Sequence, residues 1–236
     1  MAVIHRTVLT PTKLELLTDW LPSRPWYRGG AGAPRLAKAG GFRLDDPQGE
    51  VGIEFMVVTD TSAAPPLTYL LPLTYRGAPL DGADHALVGT MEHGVLGRRW
   101  AYDGCHDPVL LAQSAALIEG RAQAQQQSVS DTVDREVVAT RTGGAALPTV
   151  FTATDDREGT EAVSPHGVNL RFHRVLGPGP SAPSDLPRDA VGQVTACWQA
   201  PGTPDGTRTR GVFVSAVHAP VRPLADPATG ADATGR

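Results

Sequence analysis

The chain has 236 residues, is 41% apolar and carries a formal net charge of −4, so it can bury the core of one large domain or two small ones. The mild acidity gives no electrostatic footprint for nucleic acid or an anionic membrane. No window approaches the ~20 apolar residues of a membrane span, and the opening MAVIHRTVLTPTKLELL lacks the pattern of a leader peptide, so a cytoplasmic location is expected.

Cys105 and Cys197 stand far apart with no CxxC, which argues against a disulfide scaffold and a cysteine-rich zinc site. Only Lys13 and Lys38 among the 21 basic residues are lysines. Beyond residue 38 there is therefore no primary amine to pair with phosphate or form a Schiff base.

In chain order, residues 2–9 read as a short strand. Thr10 and Pro11 then supply an N-cap and N1 signature for a helix that carries Leu14, Leu17 and Leu21 at helical spacing until Pro22 ends it. A short helix is expected over 34–39, stopped by Gly40 and Gly41. The period then changes to two. Residues 51–60 and 66–76 form a hairpin in which Ile53, Phe55 and Val57 share one face of the first strand, while Tyr69, Leu71, Leu73 and Tyr75 share one face of the second.

Pro72 places that second strand at an edge or beside a bulge. A second hairpin turns at 92–94, and Asp107 with Pro108 opens a helix expected to run to about residue 126. Short strands are expected at 136–141, 147–154, 168–176, 191–199 and 210–217, with a Pro/Gly/Ser loop after residue 176 and a disordered tail after residue 219. The fold class read from this pattern is α+β: a curved, mainly antiparallel sheet flanked by helices over 1–126, a linker at 127–135, then a small β-rich subdomain at 136–219 and the tail at 220–236.

The densest motif is DWLPSRPWYRGG, where Trp20, Arg24, Trp26 and Tyr27 run into Gly29 and Gly30. Large aromatics just after a helix plug the end of a core. A phosphate-cradling loop is the competing reading of the glycines, but GGAGAP fits neither GxGxxG nor the Walker pattern. The YDGCHDP stretch gathers Tyr102, Asp103, Cys105, His106, Asp107 and Pro108. A metal site that adds His93 is disfavoured, because the spacing matches no ligand pattern and Asp107 caps a helix. Glu54, in an apolar strand, is expected to pair with Arg76 on its neighbour. No GxSxG occurs.

LPSRPWYRGG, YLLPLTYR and RRWAYDGCHDPVLLAQ, in this order, resemble the N-terminal cap of actinobacterial maltokinases and related aminoglycoside-phosphotransferase-like sugar kinases, including glucosamine kinases. Pro25 departs from the family pattern by separating Arg24 from Trp26. In such kinases the cap is followed by an intermediate β subdomain that holds an ATP-contacting lysine, and then by a helical lobe with the catalytic carboxylates. Set against that lysine-bearing strand, SPHGVNLRFHRVL puts Arg171 in the lysine's place. Set against the family's catalytic His-Gly-Asp loop, it puts Val168 on the aspartate. Either alignment loses the chemistry, and too few residues follow for the helical lobe.

The resemblance thus implies a stand-alone, non-catalytic relative linked to α-glucan, maltose or trehalose metabolism, with no metal, no resident cofactor and no catalytic residues. It would dock on a protein partner or on itself as a homodimer. A nucleotide- or sugar-binding module is the alternative, with Arg171, Gly29 and Gly30 toward the ligand. The expected interface is the second-half sheet, at Leu170, Phe172, Val212, Phe213 and Val214 with Arg171 at the rim.

Overall fold

In the computed structural model, which describes residues 9–30, 32–129, 131–179, 186–187, 189–204 and 207–219, strand β1 (Leu9–Thr10) leads into helix α1 (Lys13–Trp20). The helix begins two residues later than its Thr-Pro signature suggests. Thr12 is the N-cap and forms a capping box with Glu15, the Glu15 amide donating to Thr12 Oγ1 and the Thr12 amide to the Glu15 carboxylate. The strand expected at 2–9 otherwise lies outside the described residues, as does the tail beyond residue 219.

Strands β2 (Leu36–Leu44), β3 (Gly52–Asp60) and β4 (Leu67–Arg76) form an antiparallel meander. Alternation along β3 and β4 divides two cores. Ile53, Phe55, Val57 and Leu70 face the main core, whereas Met56, Val58, Tyr69, Leu71 and Leu73 face a second one closed by Leu17, Trp20, Leu21 and Trp26. The helix expected over 34–39 is instead part of β2. Gly41, with φ 125°, lies so close to Phe55 O that a Cβ there would come within 2.1 Å of it. The glycine therefore serves close strand pairing rather than a helix stop.

The next hairpin joins β5 (Leu87–His93) to β6 (Gly97–Asp103), each flanked by a single 3₁₀ turn, Asp84–Ala86 before β5 and Gly104–His106 after β6. Helix α2 (Pro108–Ile118) starts as expected. Asp107 accepts from the Val109 amide at 2.9 Å, and Pro108 occupies the first turn. It ends well before residue 126, because Gly120 adopts φ 74° and Gln125–Gln126 leaves to pair with β2 as strand β7.

The second half supplies β8 (Val138–Arg141), β9 (Thr152–Asp155), β10 (Thr160–Val163), β11 (Val168–Phe172), β12 (Val175–Leu176), β13 (Ala190–Trp198) and β14 (Thr209–His218). All join one 14-stranded sheet, with the order β1-β5-β6-β4-β3-β2-β13-β14-β11-β10-β9 and β7, β8 and β12 attached to β2, β13 and β4. The α+β class with flanking helices is thus corrected: the molecule is mainly antiparallel β, and the α-helices among the described residues have only 8 and 11 residues. The helical readings at 34–39 and 119–126 rested on local composition, and ladder pairing with β3 and β2 overrides it.

Pro72 sits where one edge of β4 changes partner. Leu73–Arg76 pair with β6 and Thr68–Tyr69 with β12, so the missing N–H falls between two ladders. Helix α2 packs into the main core with Leu110, Leu111, Leu117 and Ile118, and Ile118 comes so close to Gly192 of β13 that a Cβ there would meet it at 2.5 Å. Among the described residues no helix is long and apolar enough to cross a membrane.

Candidate functional site

The loop after α1 carries the aromatic motif. Trp26 is fully buried, with its ring 5.9 Å from Trp20 and 6.2 Å from Tyr69 between centroids. Tyr27 donates to Asp60 Oδ2 at 2.9 Å, and Tyr69 accepts from the Arg28 amide at 3.1 Å. Burial and the Asp60 carboxylate push the Tyr27 phenol up to about 12. Gly29 lies under that ring, where a Cβ would overlap Tyr27 Oη, while Gly30 faces open space. Arg24 stacks its guanidinium on Trp20, 4.8 Å from the ring centroid.

What Trp26 covers is a buried cation. Arg174, in the bend between β11 and β12, is fully buried, and its guanidinium carbon lies 4.7 Å from the Trp26 ring centroid. Its Nη2 donates to both oxygens of Asp103 at 2.7 and 2.6 Å, and its Nε donates to Thr160 Oγ1 at 2.7 Å. Nη1 finds no hydrogen-bond partner among the described residues. The Arg174 carbonyl accepts from the Leu70 amide at 2.9 Å. Both backbone and side chain of this one residue thus join the second half to the first. Burial alone would lower the Arg174 pKa, but the Asp103 charge raises it above the usual arginine value.

A second carboxylate, Asp155 at the end of β9, lies 4.0 Å from Arg174 Nη2 and accepts from Thr160 Oγ1. His106 Nε2 stands 3.4 Å from Asp155 Oδ2, and His106 Nδ1 stands 3.2 Å from His85 Nε2. Burial would raise the Asp155 pKa, but the bond to His106 and the Arg174 charge hold it down at about 2. Ligand atoms of Asp103, His106 and Asp155 all lie within 4.8 Å of one another. The Arg174 guanidinium already engages Asp103 and lies beside Asp155, so the residues present fit an arginine between two carboxylates. Cys105 is buried, and burial pushes its thiol well above the usual range, leaving it a small apolar side chain.

A second buried charge lies under α1. Glu54 accepts from Lys13 Nζ, from Tyr75 Oη at 2.7 Å and from Gln127 Nε2 at 3.0 Å. Burial would raise the Glu54 pKa, but Lys13 holds it below the usual value. The expected Glu54–Arg76 pair is therefore corrected: Arg76 makes a bidentate bond to Asp107, 2.7 Å on each arm, at the N-terminus of α2. Alternation alone could not show that helix α1 delivers a lysine onto β3.

The remaining sequence-derived residues do not converge. Arg171 is exposed on β11, opposite Glu161 and Ser215. Tyr102 accepts from the Leu80 amide at 2.9 Å. His93 accepts from the Val95 and Leu96 amides in the β5–β6 turn. Leu170, Phe172, Phe213 and Val214 lie in the main core, and Val212 is part-buried. Sequence reading missed Arg174, Asp155, Thr160 and His85. The FHRV spelling, a charge inside an apolar run, was the available signal for Arg174.

The architecture is an antiparallel sheet whose aromatic loop and β6–α2 corner meet a buried arginine. Residues 20–107 match the family model of the maltokinase N-terminal cap domain. The match begins at Trp20 and ends at Asp107, so the resemblance read from the motifs is borne out over that segment. No curated protein matches the chain.

Proposed function

We propose that the chain is a non-catalytic, maltokinase-cap-like module of maltose or α-glucan metabolism that works by docking on a partner enzyme or on a second copy of itself. The observation that carries this reading is the dispersal of the residues the kinase resemblance points to. Arg171 stands on an exposed strand face, the place a Cβ on Gly29 would take is filled by the Tyr27 ring, and Gly30 faces open space. Phosphoryl transfer needs cations, metal and base gathered around one phosphate.

Docking is the better account of the sheet edge. β9 is the last strand in the ladder order, and Val150 and Val163 beside it are exposed. An edge of this kind is ordinarily covered or paired. Of the interface residues expected from the sequence, Leu170, Phe172, Phe213 and Val214 are buried in the chain's own core, so contact at the β9–β10 edge replaces contact through them.

Two measurements test the reading. In a coupled ADP-release assay with ATP and maltose, glucose or glucosamine, no turnover above background is expected, and turnover that disappears in Arg171→Ala would overturn the non-catalytic assignment. Light scattering of the pure chain, alone and with a purified maltokinase or α-glucan enzyme, should show a dimer or complex that Val163→Glu weakens. A strictly monomeric chain that co-elutes with neither enzyme would contradict docking.

A further inference from the structure

We propose that His85 and His106 form the protein side of a binding site for a borderline divalent cation of the zinc class. The two histidines are 21 positions apart, yet each ends a 3₁₀ element or lies within one at the same end of the β5–β6 hairpin, where Leu87 pairs with Tyr102. The ladder that fixes this hairpin therefore brings the two turns that carry the histidines together. They stand perpendicular, with centroids 4.8 Å apart and His85 Nε2 3.2 Å from His106 Nδ1. Two nitrogens on one tetrahedral ion at ~2.0–2.1 Å would lie roughly 3.3 Å apart, so the observed spacing is close to that of two ligands on a shared metal.

The other nitrogen of His106 supplies the second observation. Its Nε2 faces the Asp155 carboxylate at 3.4 Å, and the two side chains are only 9% and 13% exposed. A carboxylate accepting from one ring nitrogen of a ligating histidine leaves the lone pair on the other, fixes the ring and raises its basicity. Asp155 is held in turn by Thr160 and lies beside Arg174, so the support behind His106 continues into the core. His85 is exposed and leaves the remaining coordination positions to water or to a group on an incoming molecule. Imidazole donors select zinc, copper or nickel over magnesium or calcium. The site differs from the Asp103–His106–Asp155 cluster, whose carboxylates face Arg174.

The test is calorimetric titration of the tag-free full chain with Zn²⁺, paralleled by Co²⁺ absorption spectroscopy. One Zn²⁺ per chain is expected, with a melting temperature that rises on addition of metal. His85→Ala, an exposed change that leaves the core intact, should lower affinity by at least tenfold and abolish the rise in melting temperature. Asp155→Asn should lower affinity by about 10–100-fold while both ligands remain. Absence of Zn²⁺ binding by the unmodified chain, or binding that His85→Ala leaves unchanged, would overturn the proposal and leave the pair as a hydrogen bond between two imidazoles.

Discussion

One face of β4 and one of its edges are held in opposite ways. Tyr69, Leu71 and Leu73 meet Leu17, Trp20, Leu21 and Trp26 in an apolar and aromatic cluster whose buried members all come from the first half of the chain. At the edge of the same strand, the Arg174 seam joins Asp103, Thr160 and Asp155, with Arg174 and Asp103 71 residues apart. The first is assembled by hydrophobic burial, which tolerates small shifts. The second is a desolvated charge that is stable only while its partners stay in place. Trp26 belongs to both, packing on Tyr69 and lying against the Arg174 guanidinium. An apolar cluster can close one half of the sheet, while the charged seam specifies which second half completes it.

The sharpest way to break this contrast is at the seam. Arg174→Ala should destabilise by about 3–5 kcal/mol, because it leaves Asp103 buried without its cation. The double variant Arg174→Met/Asp103→Leu should be markedly less destabilised than the single one. Thermal melting compares them, and equal losses would remove the ion pair from the account.

Trp26→Ala should also cost about 3–5 kcal/mol, the scale of large aromatic truncations. A variant of unchanged stability but altered partner binding would move Trp26 from the core to a recognition surface. Glu54→Gln should cost less, about 1–3 kcal/mol, since Tyr75 and Gln127 can still bond the amide while Lys13 loses its counter-charge. Chemical denaturation reads this difference.

The smallest effect is a pH slope. Burial and then the Arg171 charge lower the His173 pKa from 6.5 to about 4. The unfolded chain therefore binds more protons between those values, and stability should fall as pH drops from about 6.5 to 4. The depressed carboxylates Glu54, Asp60 and Asp155 add stability above their unfolded values, which is lost at still lower pH as they protonate. Urea midpoints measured from pH 7.5 to 4 should decline, less steeply in His173→Gln; parallel curves would assign the slope elsewhere.

Legibility in the sequence follows the same contrast. The β3–β4 hairpin, its alternating faces, the Asp107–Pro108 helix start and the burial of Trp26 were readable, because period, capping and ring size are local. Strand β2 was not, because its glycines resemble a helix stop and only the approach of Trp198 to Gly40 and of Phe55 O to Gly41 explains them. Arg174, Asp155 and His85 were hidden for a different reason. A charged residue reads as solvated until a fold brings its partner to it, and their partners come from other strands and turns. The Glu54 pairing failed similarly, since a neighbouring strand offered Arg76 while a helix supplied Lys13.

The cap-matching segment and the later strands should unfold as one cooperative sheet tied by Arg174. Hydrogen exchange along a urea series measures this directly, by following amides of β3 and β4 together with those of β13 and β14. A single transition is predicted, with all four strands losing protection at the same urea concentration and moving together in Arg174→Ala. Loss of β13 and β14 at a lower concentration, with β3 and β4 still protected, would contradict it.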